Sequence, residues 1–233
     1  MSATARTAGI LLIAVPLIFT AGFTGLQLTF DYPDILRQPA GEVLTRFAAA
    51  GIDLHLYWYA MMAAALLMTG AAIVAGLLLW PANPLLAAFS VGAGLLAALV
   101  QALGLLRWVM LVPALAAMYL APGAEDAERA MAVALFDAAN RYLGMGVGEH
   151  LGYFFTAAWT VFIAILILPG QRILGLSGLL IALGVLAGML EPFGVPLTGA
   201  INAISYSFWA LWTLLLGVVL FRRRSEQPAA LPA

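Results

Sequence analysis

Apolar runs long enough to cross a bilayer dominate this sequence and leave little chain for anything else. A spanning helix needs about 20 mostly apolar residues, and the 233 residues accommodate six such runs. The runs cover approximately residues 8–30, 53–79, 85–106, 147–168, 173–190 and 199–221. Only 9% of the residues are charged, whereas soluble domains carry about 25%. The sequence therefore predicts an all-α integral membrane bundle of six transmembrane helices, built as a single domain over residues 1–221.

Two of these runs allow a second interpretation. The run Ala8 to Phe30 follows a single charged residue, Arg6, as a secretion signal would. It is longer than the apolar part of a signal peptide, which spans about 7–15 residues, so we predict a retained span. The third run continues past Arg107 and Pro113 to Leu120; we predict a crossing that ends at 106, with one long tilted or kinked helix as the alternative.

A short interfacial helix is predicted between the first two spans, from Glu42 to Ala50. Glu42 and Arg46 stand four residues apart, which suits an ion pair on a helix. Val43, Leu44 and Phe47 are apolar and fall on the other side. A helix with one apolar and one charged side is typical of segments that lie in the membrane interface.

A second interfacial helix is predicted over Glu125 to Tyr142. Acidic residues open it, which is favourable at the positive end of a helix. An apolar stripe recurs at helical spacing through Met131, Leu135, Ala138 and Tyr142. The following glycines, Gly144, Gly146 and Gly148, do not have the spacing of a phosphate-binding loop, and we interpret them as a flexible start to the fourth span.

Arginine placement predicts the orientation in the membrane. Six crossings put both termini on one side, together with Arg6, Arg172 and the run Arg222–Arg224. Short cytoplasmic segments are enriched in basic residues. We therefore predict an inner-membrane protein with both termini cytoplasmic and with residues 222–233 as a flexible cytoplasmic tail.

This topology brings scattered polar side chains to one depth in the outer leaflet. Ionisable residues inside a membrane are costly unless paired, and they commonly mark function. We expect Arg107 to pair with Glu149 or Glu191, and Tyr153 to hydrogen-bond Glu149 four residues before it. The predicted pocket is lined by His55, Tyr59, Arg107, Glu149, His150, Tyr153, Glu191, Asn202 and Tyr206.

Three functions are compatible with such a pocket. The first is the binding or sensing of a small molecule or lipid head group, with Arg107 contacting its anionic part. The second is a redox or metal-dependent protein in which His55 and His150 ligate haem b, or in which both join Glu149 around zinc. The third is an accessory subunit that packs on a membrane-protein partner through Gly184 and Gly188, whose spacing permits close helix approach.

Each residue also has a plain structural interpretation, and several classes of function are excluded. The histidines and Tyr153 can simply be interfacial residues, and Arg107 can extend its charged end to the membrane surface. Net charge is −1 and all ten basic residues are Arg, so no basic field exists for nucleic acid. Zero Cys excludes thiolate chemistry. Since no hydrolase or protease motif is visible, we expect a lipid-embedded binding protein more than an enzyme.

Four blocks of the sequence resemble a known family. They are Asp31-Tyr32-Pro33-Asp34-Ile35-Leu36-Arg37, Arg107-Trp108-Val109-Met110-Leu111-Val112-Pro113, Gly148-Glu149-His150-Leu151-Gly152-Tyr153 and Glu191-Pro192. In this combination the chain resembles bacterial membrane proteins of the domain of unknown function 4386 family. The resemblance covers nearly the whole length and implies a multi-pass inner-membrane protein, with no activity to carry over.

Overall fold

The structure, a computed structural model, describes residues 3–222, and within them it contains helices and no strand. The α-helices are α1 (Ala3–Phe30), α2 (Ala40–Ala49), α3 (Ile52–Leu79), α4 (Pro84–Leu106), α5 (Val112–Tyr119), α6 (Asp126–Ala139), α7 (Gly152–Ile167), α8 (Arg172–Ala187) and α9 (Thr198–Arg222). Short 3₁₀ segments cover Asp34–Arg37 and Gly188–Phe193, and π-helical segments cover Arg107–Leu111 and Asn140–Leu151. The predicted tail lies outside the described residues apart from Arg222.

Within residues 3–222, six helical runs are long and apolar enough to cross a membrane, which confirms the predicted number of spans. They are Ala3–Phe30, Ile52–Leu79, Pro84–Tyr119, Asp126–Ile167, Arg172–Phe193 and Thr198–Arg222. Each run packs against the next along the chain, and α9 packs back against α1. The six helices therefore close into a ring, whose interior is filled by side chains such as Leu12, Ala72, Trp159 and Leu216.

The third run does not end at residue 106, so the predicted boundary was wrong and the long-helix alternative is observed. α4 continues through the π-helical turn Arg107–Leu111 into α5. In that wider turn the Val112 N–H donates to the Arg107 carbonyl. Pro113 then stands in the first turn of α5, where a missing N–H is tolerated, so the helix passes through without a break.

The fourth run is also continuous, and the expected break near residue 147 was wrong. α6 begins with a reciprocal capping box between Glu125 and Glu128 and passes through Asn140–Leu151 into α7. The glycines there are part of an ordered helix and are not a flexible connection. The run of 42 residues rises about 63 Å, roughly twice the hydrocarbon thickness of a bilayer, so its first part lies beyond the apolar layer.

A second hydrophobic core, which we call the cap core, lies at the end of the bundle where α1 ends and α3 begins. It is formed where α2, α5 and α6 pack over the ends of α1 and α3. At its centre the rings of Trp58 and Trp108 stack at 4.4 Å with an angle of 2°, and Phe30 and Phe136 meet Trp108 edge-on. This stack joins α3 directly to the third long helix.

The two predicted amphipathic helices differ in whether their predicted apolar residues are buried. In α2 the predicted apolar residues Val43, Leu44 and Phe47 are buried in the cap core. Arg46, however, lies 3.9 Å from the Asp31 carboxylate, and no ion pair with Glu42 forms.

In α6 the predicted apolar stripe lies on the side that faces away from the rest of the protein. Ala132 and Phe136 are the residues that pack inward, whereas Met131, Leu135 and Tyr142 are exposed. A helix that continues into a span can expose apolar side chains as readily as bury them, so the stripe did not identify the packed face.

Close helix approach in this bundle depends on glycines. A Cβ added to Gly104 would lie 2.6 Å from the Cα of Gly148, so α4 and the π-helical segment touch backbone to backbone. Gly184 and Gly188 instead leave room for side chains: that of Ser205 packs against Gly184, and those of Asn202 and Tyr153 pack against Gly188. The face carrying Gly184 and Gly188 is therefore covered by this chain's own α9 and α7. It is not free for the membrane-protein partner that we expected there.

Replacing Gly104 by Ala is expected to destabilise the protein by about 1–3 kcal/mol, as insertion of a methyl group into a packed contact does. The same change at Gly92, also on α4, meets nothing within 4 Å and should be neutral or slightly stabilising because Ala is the better helix former. Unfolding in mixed micelles by titration with SDS would measure both. Equal midpoints for the two variants would contradict the close contact.

Candidate functional site

The candidate site lies where the two π-helical segments meet. The Nη2 of Arg107 donates to the Oδ1 of Asn140 over 3.1 Å, and its Nη1 donates to the Gly104 carbonyl. Wider π-helical turns inside α-helices are frequent at functional sites. The guanidinium therefore ties the third long helix to the fourth at the point where both helices widen.

Arg107 is enclosed on every side. Only 7% of the residue is exposed, and its guanidinium carbon lies 5.4 Å from the centre of the Trp108 ring. A Cβ on Gly144 would sit 2.7 Å from that carbon, so the guanidinium occupies the space that a larger side chain would fill. The Nε of Arg107 has no hydrogen-bond partner among the described residues. Arg107 is thus a buried cation and does not extend to the membrane surface.

One carboxylate, Glu149, lies near this cation without forming an ion pair with it, and a second, Glu191, lies near Glu149. Glu149 interacts electrostatically with both Arg107 and Glu191. Within residues 3–222, however, the ion pairs are Arg37 with Asp34 and Arg46 with Asp31. The expected ion pair of Arg107 with Glu149 or Glu191 was therefore wrong; two of the guanidinium nitrogens donate to Asn140 and Gly104 instead.

Tyrosines complete the cluster. The rings of Tyr153 and Tyr206 lie 5.7 Å apart, and Tyr153 interacts electrostatically with Glu149 and Glu191. The expected hydrogen bond between Tyr153 and Glu149 is not among those that the described residues form. Tyr32, just beyond α1, reaches the same cluster.

Tyr32 stays protonated there. Burial raises its pKa to about 12, the Glu149 carboxylate adds to the rise, and the Arg107 guanidinium opposes it. At neutral pH the phenol of Tyr32 can therefore donate a hydrogen bond as well as accept one.

A small indentation opens beside this cluster. It is lined by Met145, Glu149, His150, Tyr153, Gly188, Glu191 and Pro192. Its volume of about 10 Å³ is close to the least that holds one water molecule. The expected pocket is therefore narrow, and Arg107 does not line it.

His150 also lines a larger apolar groove on the outside of the bundle. The groove has a volume of about 650 Å³ and is otherwise lined by Leu183, Leu186, Ala187, Met189, Leu190 and Phe193. It thus runs along α8 and the following 3₁₀ turn, within a helix that is apolar and long enough to cross a membrane.

Asn202 has a structural role at the edge of the cluster. Its side-chain amide donates to the Val185 carbonyl over 2.7 Å, and Gly188 leaves room for it. It holds α9 against α8 behind the indentation.

His55 and Tyr59, by contrast, are not part of the cluster. The His55 ring packs 5.0 Å from that of Phe47 at the side of the cap core, and Tyr59 is 47% exposed. Both residues lie at the expected end of the bundle, but their side chains do not point into the cluster.

The two histidines consequently do not face a common space. His55 contacts α2, whereas His150 opens toward α8. No group of three His, Asp or Glu residues placed to hold a metal occurs in residues 3–222. The arrangement does not support joint ligation of haem or zinc by this pair.

Asn140, Gly104 and Gly144 are the residues of the cluster that sequence reasoning missed. A signal for them does exist: Asn140, Gly144 and Gly148 recur every four residues. Small or polar residues at that spacing are typical of close helix contacts in membranes. Treating the segment as a surface helix followed by a flexible turn concealed it.

Replacing Arg107 by Leu is expected to cost about 1–3 kcal/mol of stability, because the Gly104 carbonyl and the Asn140 amide oxygen lose their donors. Adding Glu149→Gln should recover part of the loss, since the neutral amide no longer needs a nearby cation. The exposed Arg141→Leu variant should stay within about 0.5 kcal/mol of wild type. SDS titration of the single and double variants would measure the coupling, and strictly additive losses would contradict it.

Comparison with known proteins places the chain in a family. A search of curated proteins found no match, and a search of solved structures found none either. The family model described as Domain of unknown function (DUF4386) matches residues 7–204. Since this match covers most of the chain, the multi-pass membrane protein described here belongs to the DUF4386 family.

Proposed function

We propose that this protein binds or senses a small molecule or a lipid head group at the cluster formed around Glu149, His150 and Glu191. The observation that carries the proposal is that one residue, His150, lines both a polar indentation and an apolar groove on the outside of the bundle. Ionisable residues inside a membrane protein are expensive and commonly functional. The ligand is therefore amphipathic, with a polar part at the indentation and an apolar part along α8.

Arg107 has a different role in this proposal from the one expected from sequence. Two of its nitrogens are occupied by Gly104 and Asn140, so it does not contact the ligand. Its positive charge lies behind Glu149 and offsets the carboxylate electrostatically. Arg107 thus keeps the acidic side chain compatible with its apolar surroundings and leaves it open to the ligand side.

Filling the groove should abolish binding. Ala187→Trp places a large ring among the groove residues, whereas Leu180→Trp adds the same ring at an exposed α8 position that does not line the groove. Native mass spectrometry after gentle removal of bulk lipid should show retained ligand in wild type and in Leu180→Trp, and a loss of about tenfold or more in Ala187→Trp if the added ring costs at least 1.4 kcal/mol of binding.

Two outcomes count against the proposal. One is a wild-type protein that retains no small molecule or lipid at all. The other is an Ala187→Trp variant that keeps its native unfolding midpoint and retains as much ligand as Leu180→Trp.

The same proposal places the site at the outer face of the inner membrane, with both termini in the cytoplasm. Arg6, Arg172 and Arg222 belong to the end of the bundle opposite the cap core. Basic residues near span ends favour the cytoplasmic side. The cluster then faces the outer leaflet.

Cysteine labelling tests this orientation directly, because the chain has no native Cys. Ala127→Cys on α6 should react with a membrane-impermeant maleimide in intact spheroplasts. Ala82→Cys, in the turn between α3 and α4, should react only after permeabilisation. The reverse pattern would invert the proposed orientation.

A further inference from the structure

The charge at the polar end of the groove limits what can bind there. The residues that line the indentation include two carboxylates, Glu149 and Glu191, and no guanidinium. Arg107 interacts electrostatically with Glu149 but does not line the indentation, and it is buried with Nη1 and Nη2 already donating to Gly104 and Asn140. A ligand therefore meets acceptors first, which favours a cationic hydrogen-bond donor over an anion.

The size of the indentation limits it further. A volume of about 10 Å³ suits a group of roughly the size of one water molecule. A primary ammonium is a compact cation with three N–H donors, whereas a trimethylated ammonium is bulkier and has none. The carboxylates and the Tyr153 phenol oxygen together offer an acceptor for each of the three N–H groups.

The groove indicates the nature of the apolar part of the ligand. Its volume of about 650 Å³ lies in the range of about 300–1,000 Å³ that small-molecule sites occupy. Apart from His150 its lining is apolar, and it lies along a candidate span, where acyl chains are the surrounding medium. One lipid chain fits this description.

We propose that the occupant is a phospholipid whose head group ends in a primary ammonium. The ammonium lies between Glu149 and Glu191, the His150 ring donates an N–H to the phosphate, and one acyl chain follows α8. This inference rests on the proposed function and specifies its ligand class by charge complementarity and size.

Lipid competition tests the ligand class in the wild-type protein. The protein is reconstituted with equal amounts of a phosphatidylethanolamine, a phosphatidylcholine and a phosphatidylglycerol that have identical acyl chains. Native mass spectrometry then compares the retained adducts. We expect the ethanolamine lipid to be enriched about fivefold over either competitor, the size of effect that one exposed ion pair can produce.

Variants of the carboxylates test which residues produce the lipid preference. Glu191 is exposed, so Glu191→Gln should fold normally while reducing the enrichment toward equality, and Glu191→Asp should retain part of it. Glu42→Gln, an equally exposed change on α2, should leave the enrichment unchanged. Glu149→Gln provides a second charge removal at the same site.

The outcomes separate this inference from the function on which it rests. Equal retention of the three lipids, or enrichment of phosphatidylglycerol, overturns the ligand class and leaves lipid binding intact. An unchanged preference in both Glu191→Gln and Glu149→Gln overturns the placement of the ammonium. The absence of any retained lipid or small molecule overturns the proposed function and this inference with it.

Discussion

The hydrogen bond from Arg107 to Asn140 is the interaction on which the rest of the site depends. It joins two helical runs that are each longer than a bilayer requires. A guanidinium in this position is tolerated only because the surrounding groups accept its protons and offset its charge, since an unpaired buried charge is prohibitive. The neighbouring carboxylates, the Trp108 ring and the Gly104 carbonyl together provide that environment.

Glycine makes this arrangement geometrically feasible. Gly104 and Gly148 let the two helices touch, and Gly144 leaves space for the guanidinium. Helix association in membranes relies on such small residues because lipid provides no hydrophobic drive for helices to pack together. Gly144 and Gly148 lie within the π-helical segment Asn140–Leu151, which also carries Glu149 and His150. The same short segment therefore contributes both to the helix packing and to the candidate site.

Sequence alone predicted the number of spans and the end of the bundle at which polar residues gather, because run length and charge placement fix both. It predicted the height of a residue along the bundle better than the direction in which its side chain points around the helix axis. His55 stands at the expected height, but successive residues turn by about 100°, and its ring faces Phe47. The continuity of the long helices was not foreseeable either, since Arg107 and the glycine-rich stretch resemble breaks until the packing around them is known. The exposed stripe of α6 shows that, in a membrane protein, apolar periodicity does not distinguish a lipid-facing side of a helix from a protein-facing side.

The continuity of the run Asp126–Ile167 has a mechanical consequence. The crossing at Gly148 lies near its middle, with about 30 Å of helix on either side. This one unbroken helix therefore links the cap core mechanically to the opposite end of the bundle, and the polar cluster lies on it between the two.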